Sequence, residues 1–293
     1  MIDEISRRKR QMSTAAASIE RSHDRRGRYQ KVIVCGKGGV GKTTLTAILA
    51  RLSHRDGRSV LAVDEDPQQN LGFSLGYPQE KSGELLSLAQ RFEYIREKVG
   101  IAPGEGYGQA YVLNPDVSDV VERFGITLEP GLSLLVMGGV EQASSGCLCP
   151  ENALLESVIR YIRIREGEMI FLDTQAGLEH FGRAIAGGFG QAIIVAEASY
   201  NSLSVAADAA RLAGQLHIPV LHLVINKCRD QTDRAKVKKT VDLSLFSTIH
   251  YLPFDPLVWD TEPDVSPLLN SRSPFMQEVQ MLYKDIMKYS NED

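Results

Sequence analysis

The sequence predicts an α/β fold, with a doubly wound, mostly parallel sheet covered by helices on both faces. Three observations predict it. Short apolar runs recur along the chain, helical patterns lie between several of them, and a glycine-rich turn separates the first run from the first helix. Apolar runs that alternate with helices are typical of parallel strands that are buried on both sides and joined by right-handed crossovers.

The predicted elements follow one another in this pattern. Residues 31–35 (Lys-Val-Ile-Val-Cys) form a short, mainly apolar run before the glycine-rich turn, and residues 44–54 place leucine and isoleucine at helical spacing. Further strands are predicted at 59–63, 132–136, 169–172, 192–196, 220–225 and 248–252, and further helices at 153–164, 204–216 and 275–289. We expect residues 30–293 to form one domain and residues 1–29, which lack apolar spacing, to be a disordered extension.

Composition excludes several classes of protein. The 293 residues are 43% hydrophobic, which is enough for a large core. No apolar run approaches the roughly 20 residues that a membrane span requires. The four cysteines are too few and too unevenly spaced for a secreted disulfide framework, so we expect a cytoplasmic protein.

Charge is distributed unevenly along the chain. The net charge is -4, but residues 1–29 contain eight Lys or Arg against four acids, which leaves +4 on the extension and -8 on the rest. An acidic body argues against nucleic acid as the partner of the folded domain.

A phosphate-binding loop is the strongest motif. Residues 36–43, Gly-Lys-Gly-Gly-Val-Gly-Lys-Thr, fill every specified position of G-x-x-x-x-G-K-[ST], with a predicted strand before and a helix after. Lys42 is expected to reach the β and γ phosphates of ATP, and the Thr43 hydroxyl to ligate Mg²⁺. The predicted nucleotide-binding residues of the loop are Gly36, Gly38, Gly39, Val40, Gly41, Lys42, Thr43 and Thr44.

Polar residues after other predicted strands fit the remaining parts of a hydrolysis site. Asp66 lies just past a strand end, on the side where open α/β sheets bind ligands. Asp173 ends an apolar strand, which is the arrangement that holds Mg²⁺ through water. Gly177 lies where a second switch, a segment whose conformation depends on the γ phosphate, would sense that phosphate. Asn226 fits the position of an amide side chain that recognises adenine.

Lys37, placed early in the loop, gives the first resemblance to a known class. A lysine at this position resembles the deviant Walker A class of P-loop ATPases, which includes MinD, ParA and the nitrogenase iron protein. The resemblance implies a homodimer in which Lys37 crosses the interface to the partner's nucleotide. It also implies that Asp66 is the first-switch residue that positions the attacking water.

Two cysteines form a candidate metal site. Cys147 and Cys149 are two residues apart, so both sulfurs can face one ion in an extended segment, and Pro150 after them suits the start of a helix. Two ligands cannot complete a four-coordinate site, but a symmetric dimer would supply four sulfurs on its two-fold axis. Two ordinary buried cysteines or a reversible disulfide are the alternatives. Cys35 and Cys228 end apolar strands and are expected to be core residues.

A second resemblance is more specific and covers most of residues 30–260. Beside the loop, the matching segments are 63–67 (Val-Asp-Glu-Asp-Pro), 112–115 (Val-Leu-Asn-Pro), 145–153 (Ser-Gly-Cys-Leu-Cys-Pro-Glu-Asn-Ala), 173–180 (Asp-Thr-Gln-Ala-Gly-Leu-Glu-His) and 225–227 (Ile-Asn-Lys). They resemble the CooC-type maturation ATPases of nickel carbon monoxide dehydrogenase. The resemblance implies an ATP-gated dimer that binds Ni²⁺ through Cys147 and Cys149. Its acceptor would be carbon monoxide dehydrogenase or the related acetyl-CoA synthase. Zn²⁺ also accepts tetrahedral sulfur and is a further candidate in vitro.

Two other functions within the same class stay open. An iron–sulfur reductase component like the nitrogenase iron protein would need a second cysteine just after Asp173, and residues 174–183 contain none. A positioning ATPase like MinD or ParA, in its membrane-reading form, would need a basic amphipathic terminal helix. The last predicted helix instead mixes acidic and basic residues.

Overall fold

The computed structural model describes residues 30–101, 112, 115–138, 154–159, 162, 167–178 and 188–291. The predicted extension, residues 1–29, lies outside the described residues. So do Cys147 and Cys149. Of the helix predicted at 153–164, residues 154–159 and 162 are described, and residues 154–159 are helical.

The sheet has eight strands in the described residues, in the spatial order β3-β4-β2-β5-β1-β6-β7-β8. Seven of them run parallel to one another, and β3 pairs antiparallel with β4 at one edge. The strands are β1 Lys31–Gly36, β2 Ser59–Asp64, β3 Ile126–Glu129, β4 Leu132–Val136, β5 Glu168–Asp173, β6 Gln191–Glu197, β7 Val220–Cys228 and β8 Thr248–Pro253. The predicted α/β class and mostly parallel sheet are confirmed.

The described helices flank these strands in the chain. Besides the helical residues 154–159, they are α1 Lys42–Arg55, α2 Leu71–Ser74, α3 Phe92–Val99, α4 Val120–Phe124, α5 Tyr200–Gln215, α6 Gln231–Thr240, α7 Pro256–Asp260 and α8 Pro274–Ser290. Short 3-10 segments lie at Gln79–Glu84, Leu88–Gln90, Leu243–Leu245 and Ser266–Asn270. Within the described part of the chain, every helix is too short or too polar to cross a membrane.

Two apolar cores lie on opposite faces of the sheet. Successive side chains of a strand point to opposite faces, so Ile33 and Cys35 of β1 belong to one core and Val32 and Val34 to the other. Apolar residues of α5 pack in the first core, and those of α1 and α8 in the second. Both faces of the sheet are thus covered.

The centre of the sheet determines where a ligand can bind. Strand β1 lies between β5 and β6, and the chain continues from β1 to β2 on one side and returns to β6 on the other. In open α/β sheets, ligands bind at the carboxyl ends of the strands beside such a change of direction. The glycine-rich loop follows β1 at this point.

Candidate nucleotide-binding site

The loop between β1 and α1 depends on glycine at two positions. Gly36 has φ 143°, and a Cβ there would lie 2.1 Å from the carbonyl oxygen of Val195. Gly41 has φ 95°, and a Cβ there would lie 2.6 Å from Nδ2 of Asn226. Because Gly41 immediately precedes α1, the helix N-terminus and the loop N–H groups are available to an anion.

The two lysines of the loop have different environments. Lys42 is buried, and its Nζ donates to the carbonyl oxygen of Lys37 at 3.3 Å. Lys37 is itself exposed, as are Gly38 and Gly39. The loop therefore holds one ammonium inside its own curve and presents the other lysine to the surface.

Thr43 joins the loop to the end of β5. Its Oγ1 donates to Oδ2 of Asp173 at 2.6 Å, and Asp173 is fully buried. Burial raises the pKa of Asp173 to about 7, although the Thr43 hydrogen bond and the charge of Lys42 act in the opposite direction. The Thr43 oxygen keeps its lone pairs after donating its proton, so the pair suits a hard, oxygen-preferring cation such as Mg²⁺.

Asp64 is a site residue that the sequence analysis did not identify. It is fully buried at the end of β2, in register with Asp173 of β5. Burial and the neighbouring Asp173 hold the pKa of Asp64 well above its usual range. Its carboxylate accepts hydrogen bonds from the backbone N–H of Asp66 at 3.0 Å and of Leu71 at 2.9 Å. Asp64 therefore anchors the loop that carries Asp66. The sequence signal that could have identified Asp64 is the pair of aspartates in Asp-Glu-Asp at a strand end.

Asp66 and Gly177, the predicted switch residues, flank this arrangement. Asp66 is partly exposed, and its Oδ1 accepts from the backbone N–H of Gln68 at 2.9 Å. Gly177 forms an isolated antiparallel bridge with Gly36, with its N–H 3.4 Å from the Gly36 carbonyl oxygen. The segment after β5 is thus bonded directly to the first residue of the phosphate loop.

A cavity of about 290 Å³ extends from the phosphate loop to the segments that follow β7 and β8. Asn226 lines it and bonds to the loop: its Nδ2 donates to the Val40 carbonyl oxygen at 2.8 Å, and its Oδ1 accepts from the Lys227 N–H at 2.9 Å. One amide proton and one oxygen lone pair remain. That donor and acceptor match the N7 and amino edge of adenine, whereas guanine presents two acceptors there.

Lys227 is a second residue that the sequence analysis did not single out. Its Nζ lies 3.0 Å from the Gly39 carbonyl oxygen and 2.8 Å from Oε1 of Glu197. It has φ 53°, which is uncommon for a residue with a Cβ. These contacts connect the ends of β6 and β7 to the phosphate loop.

The fold and the loop together define a P-loop nucleotide-binding protein of the MinD and ParA class. The family described as the CobQ/CobB/MinD/ParA nucleotide binding domain matches residues 31–262. The MinC:MinD cell division complex of Aquifex aeolicus contains a chain with the same fold, with TM-score 0.60 and 17% identity over 88% of this chain and 95% of that one.

Two relatives narrow this class. The carbon monoxide dehydrogenase accessory protein CooC of Rhodospirillum rubrum is 37% identical over 77% of this chain and 84% of its own length. An ATP-binding protein of Methanocaldococcus jannaschii is 33% identical over 89% of this chain and 99% of its own length. The chain therefore belongs to the MinD/ParA family of nucleotide-binding ATPases, as a CooC-type member.

Proposed function

We propose that this chain is an ATP-dependent maturation factor of the cytoplasm that binds Ni²⁺ at Cys147 and Cys149. It assists insertion of the nickel into carbon monoxide dehydrogenase or acetyl-CoA synthase. The similarity to a carbon monoxide dehydrogenase accessory protein supports the acceptor, and the Cys-x-Cys segment supports the metal.

The nucleotide half of the mechanism uses residues that converge on the phosphate loop. Lys42 and the loop N–H groups bind the β and γ phosphates, and Thr43 with Asp173 would hold Mg²⁺, which neutralises phosphate charge. Asp66 orients the attacking water, and Gly177 reports the γ phosphate from the other side. Asn226 binds the adenine edge with its free amide proton and lone pair.

Lys37 and the cysteines make the mechanism depend on a homodimer. Lys37 is exposed at the mouth of the loop, from which it reaches the nucleotide of a second subunit. Each subunit brings two thiolates, and a four-coordinate site is complete only when two subunits meet. ATP closes the dimer and assembles the site, and hydrolysis opens it. This coupling requires tighter metal binding in the closed state than in the open state.

One observation carries the link between nucleotide and metal. The backbone N–H of Met137, just after β4, donates to the Asp64 carbonyl oxygen at 2.8 Å. Gly138 follows, with φ 68°, and packs against the side chain of Ser87. Nε2 of Gln69, in the loop that carries Asp66, is 3.5 Å from the position that a Cβ on Gly138 would take. Both cysteines lie in the segment that continues from Gly138. A movement of the Asp66 loop would therefore act on Gly138, the residue from which the segment with the two cysteines continues.

Equilibrium dialysis tests the proposal. Full-length protein is dialysed against Ni²⁺ or Zn²⁺, with ADP or with a non-hydrolysable ATP analogue. We expect one metal per dimer with the ATP analogue, and loss of that metal in the Cys147→Ser/Cys149→Ser variant. Cys228→Ala, which changes a buried cysteine at the end of β7, is the matched control and should bind as wild type. Full metal binding by a monomer, regardless of nucleotide, contradicts the proposal.

A further inference from the structure

A groove of about 610 Å³ lies between α5 and α6, outside the residues of the nucleotide site. One wall comes from the segment after β6 and the start of α5, and the other from the second half of α6. The lining residues are Ala198, Tyr200, Leu203, Ser204, Ala207, Lys236, Lys239 and Thr240. Apolar and small side chains on one wall thus stand opposite two lysines on the other.

Tyr200 is the exposed apolar feature of this groove. It is the first residue of α5 and is 78% exposed. The backbone around it is held by two hydrogen bonds: the Ser199 hydroxyl accepts from the Ser202 N–H at 3.4 Å, and the Ser202 hydroxyl accepts from the Glu197 N–H at 2.9 Å. A tyrosine ring on a capped helix start suits a protein interface, because it buries a large area and loses little conformational entropy.

The opposite wall is basic, on a domain whose charge is negative. Residues 229–240 contain five Lys or Arg against two Asp, whereas the folded domain as a whole carries -8. Of the two acids, Asp233 is buried and accepts two hydrogen bonds from the Arg229 guanidinium, at 3.0 and 2.9 Å. Lys236 lies 3.5 Å from the same carboxylate, and Lys239 is exposed and makes no ion pair within the described residues. The groove therefore presents positive charge beside its apolar surface.

The helical period separates the cations of α6 into different faces. Lys236, Lys239 and Thr240 are three and four residues apart, so they share the face that lines the groove. Arg234 instead stacks on the Tyr251 ring, 4.3 Å from its centroid. Lys238 is exposed but does not line the groove. Adjacent lysines with the same charge therefore differ in whether they reach the groove.

We propose that the acceptor enzyme docks in this groove, through an acidic segment with an apolar side chain that packs on Tyr200. This rests on the function proposed above. Carboxylates of that segment would lie against Lys236 and Lys239, since opposite charges across an interface steer the encounter and fix the orientation. The groove begins where β6 ends, and there Glu197 lies 2.8 Å from Lys227 of the nucleotide site. A docked acceptor would therefore lie beside the bound nucleotide.

Binding to purified, nickel-free carbon monoxide dehydrogenase or acetyl-CoA synthase tests the proposal. Full-length protein with the non-hydrolysable ATP analogue is measured by biolayer interferometry. Lys239→Glu should weaken the complex about tenfold at low salt, and the loss should shrink as salt screens the contact. Tyr200→Ala should weaken it about tenfold at every salt concentration, because the lost contact is apolar.

Lys238→Glu is the matched control, since it makes the same charge change one residue away and outside the groove. It should keep the wild-type affinity within about twofold. All three variants should bind ADP as the wild type does, which shows that they are folded.

Different failures identify different errors. If the wild type binds the acceptor and both groove variants bind it equally well, the docking surface is wrong and the proposed function stands. If the variants weaken only the dimer of this chain, or only binding to a DNA duplex, the groove has another occupant and the docking surface is wrong. If the wild type binds neither enzyme, the docking surface and the proposed acceptor are both wrong.

Discussion

Asp66 and Asp64 are neighbouring carboxylates with different surroundings. Asp64 is buried and uses its oxygens to accept two backbone N–H groups, so it is committed to the shape of the loop. Asp66 is partly exposed, and its Oδ1 accepts from Gln68. Its second oxygen is available to a water molecule at the carboxyl end of the sheet, where the phosphates bind.

Asp66→Asn should slow ATP hydrolysis by about 10²-fold or more while ATP still binds, because an amide orients water poorly and cannot accept its proton. Rates are measured by phosphate release, and binding by calorimetry. Asp208→Asn, an exposed change on α5, should match the wild type. Equal losses of binding and rate in Asp66→Asn would show that this residue holds nucleotide rather than water.

At the residue scale, the sequence predicted the site residues that belong to a local motif and missed those whose roles depend on long-range contacts. Lys42 and Thr43 were found because the whole motif lies within eight consecutive residues, and the structure brings Thr43 to the predicted Asp173. Asp64 was not found because its role depends on burial next to a strand more than 100 residues away. Lys227 was not found because its partner carbonyl, on Gly39, lies 188 residues away in the sequence.

A buried polar network joins three strands to the C-terminal helix. Nε2 of His222 on β7 lies 2.9 Å from Oε1 of Gln191 on β6, and its Nδ1 lies 2.7 Å from Oγ1 of Thr248 on β8. Gln191 in turn donates to the carbonyl oxygen of Ile286 in α8 at 3.1 Å. Because Gln191 offers His222 an amide oxygen, Nε2 carries the proton and Nδ1 accepts from Thr248. A neutral imidazole satisfies each contact of this network, and burial favours that form over the charged one.

Acid should therefore destabilise this part of the fold. Burial, together with the nearby His250, lowers the pKa of His222 to about 3, whereas an unfolded histidine has a pKa of about 6.5. A lowered pKa means that the unfolded state binds the proton first. Stability from this group is complete above about pH 6.5 and is lost as the pH falls toward 3, by up to about 1.4 kcal/mol per pH unit.

Urea unfolding of the nucleotide-free protein between pH 7 and pH 4 measures this effect. His222→Gln, which can still donate to Gln191, should flatten the decline relative to the wild type. His217→Asn is the control: His217 is exposed and has φ 57°, a conformation that asparagine tolerates. An unchanged slope in His222→Gln would mean that other groups cause the acid sensitivity.

At the element scale, apolar periodicity predicted the elements that pack on the core and missed those that do not. Strand β3 alternates between half-buried and exposed residues and contains no apolar run. Helix α6 buries only Asp233 and Val237, and Asp230 caps it by accepting two backbone N–H groups. Helix α5 begins at Tyr200, four residues before the predicted start, because Ser199 caps it by accepting from the Ser202 N–H.

At the scale of the whole molecule, the class of fold could be predicted but the strand order could not. Alternation of strands and helices specifies a covered parallel sheet. The buried strands β1, β5 and β6 have similar apolar compositions, so nothing in their sequences determines that β1 lies between the other two. Their order brings Asp173 beside the phosphate loop, so the site as a whole follows from long-range packing.

Lys37 provides the test of assembly. Its backbone carbonyl oxygen accepts a hydrogen bond from Lys42 within the loop. The residue is exposed, so its side-chain ammonium can reach a second subunit. Lys37→Ala keeps the carbonyl oxygen and removes the ammonium. The variant should therefore bind ADP as tightly as the wild type and fail to dimerise with a non-hydrolysable ATP analogue, as measured by sedimentation velocity.

Linkage adds a second requirement to this test. If nucleotide-driven dimerisation completes the metal site, then Ni²⁺ must strengthen the ATP-bound dimer by the same factor by which the dimer strengthens Ni²⁺ binding. Sedimentation of the wild type with the ATP analogue should show a smaller dimer dissociation constant when Ni²⁺ is added. Lys37→Ala should show no such effect, and Lys238→Ala, an exposed change on α6, should behave as wild type. If Ni²⁺ leaves the dimer dissociation constant of the wild type unchanged, assembly and metal binding are independent, and the two-subunit thiolate site is wrong.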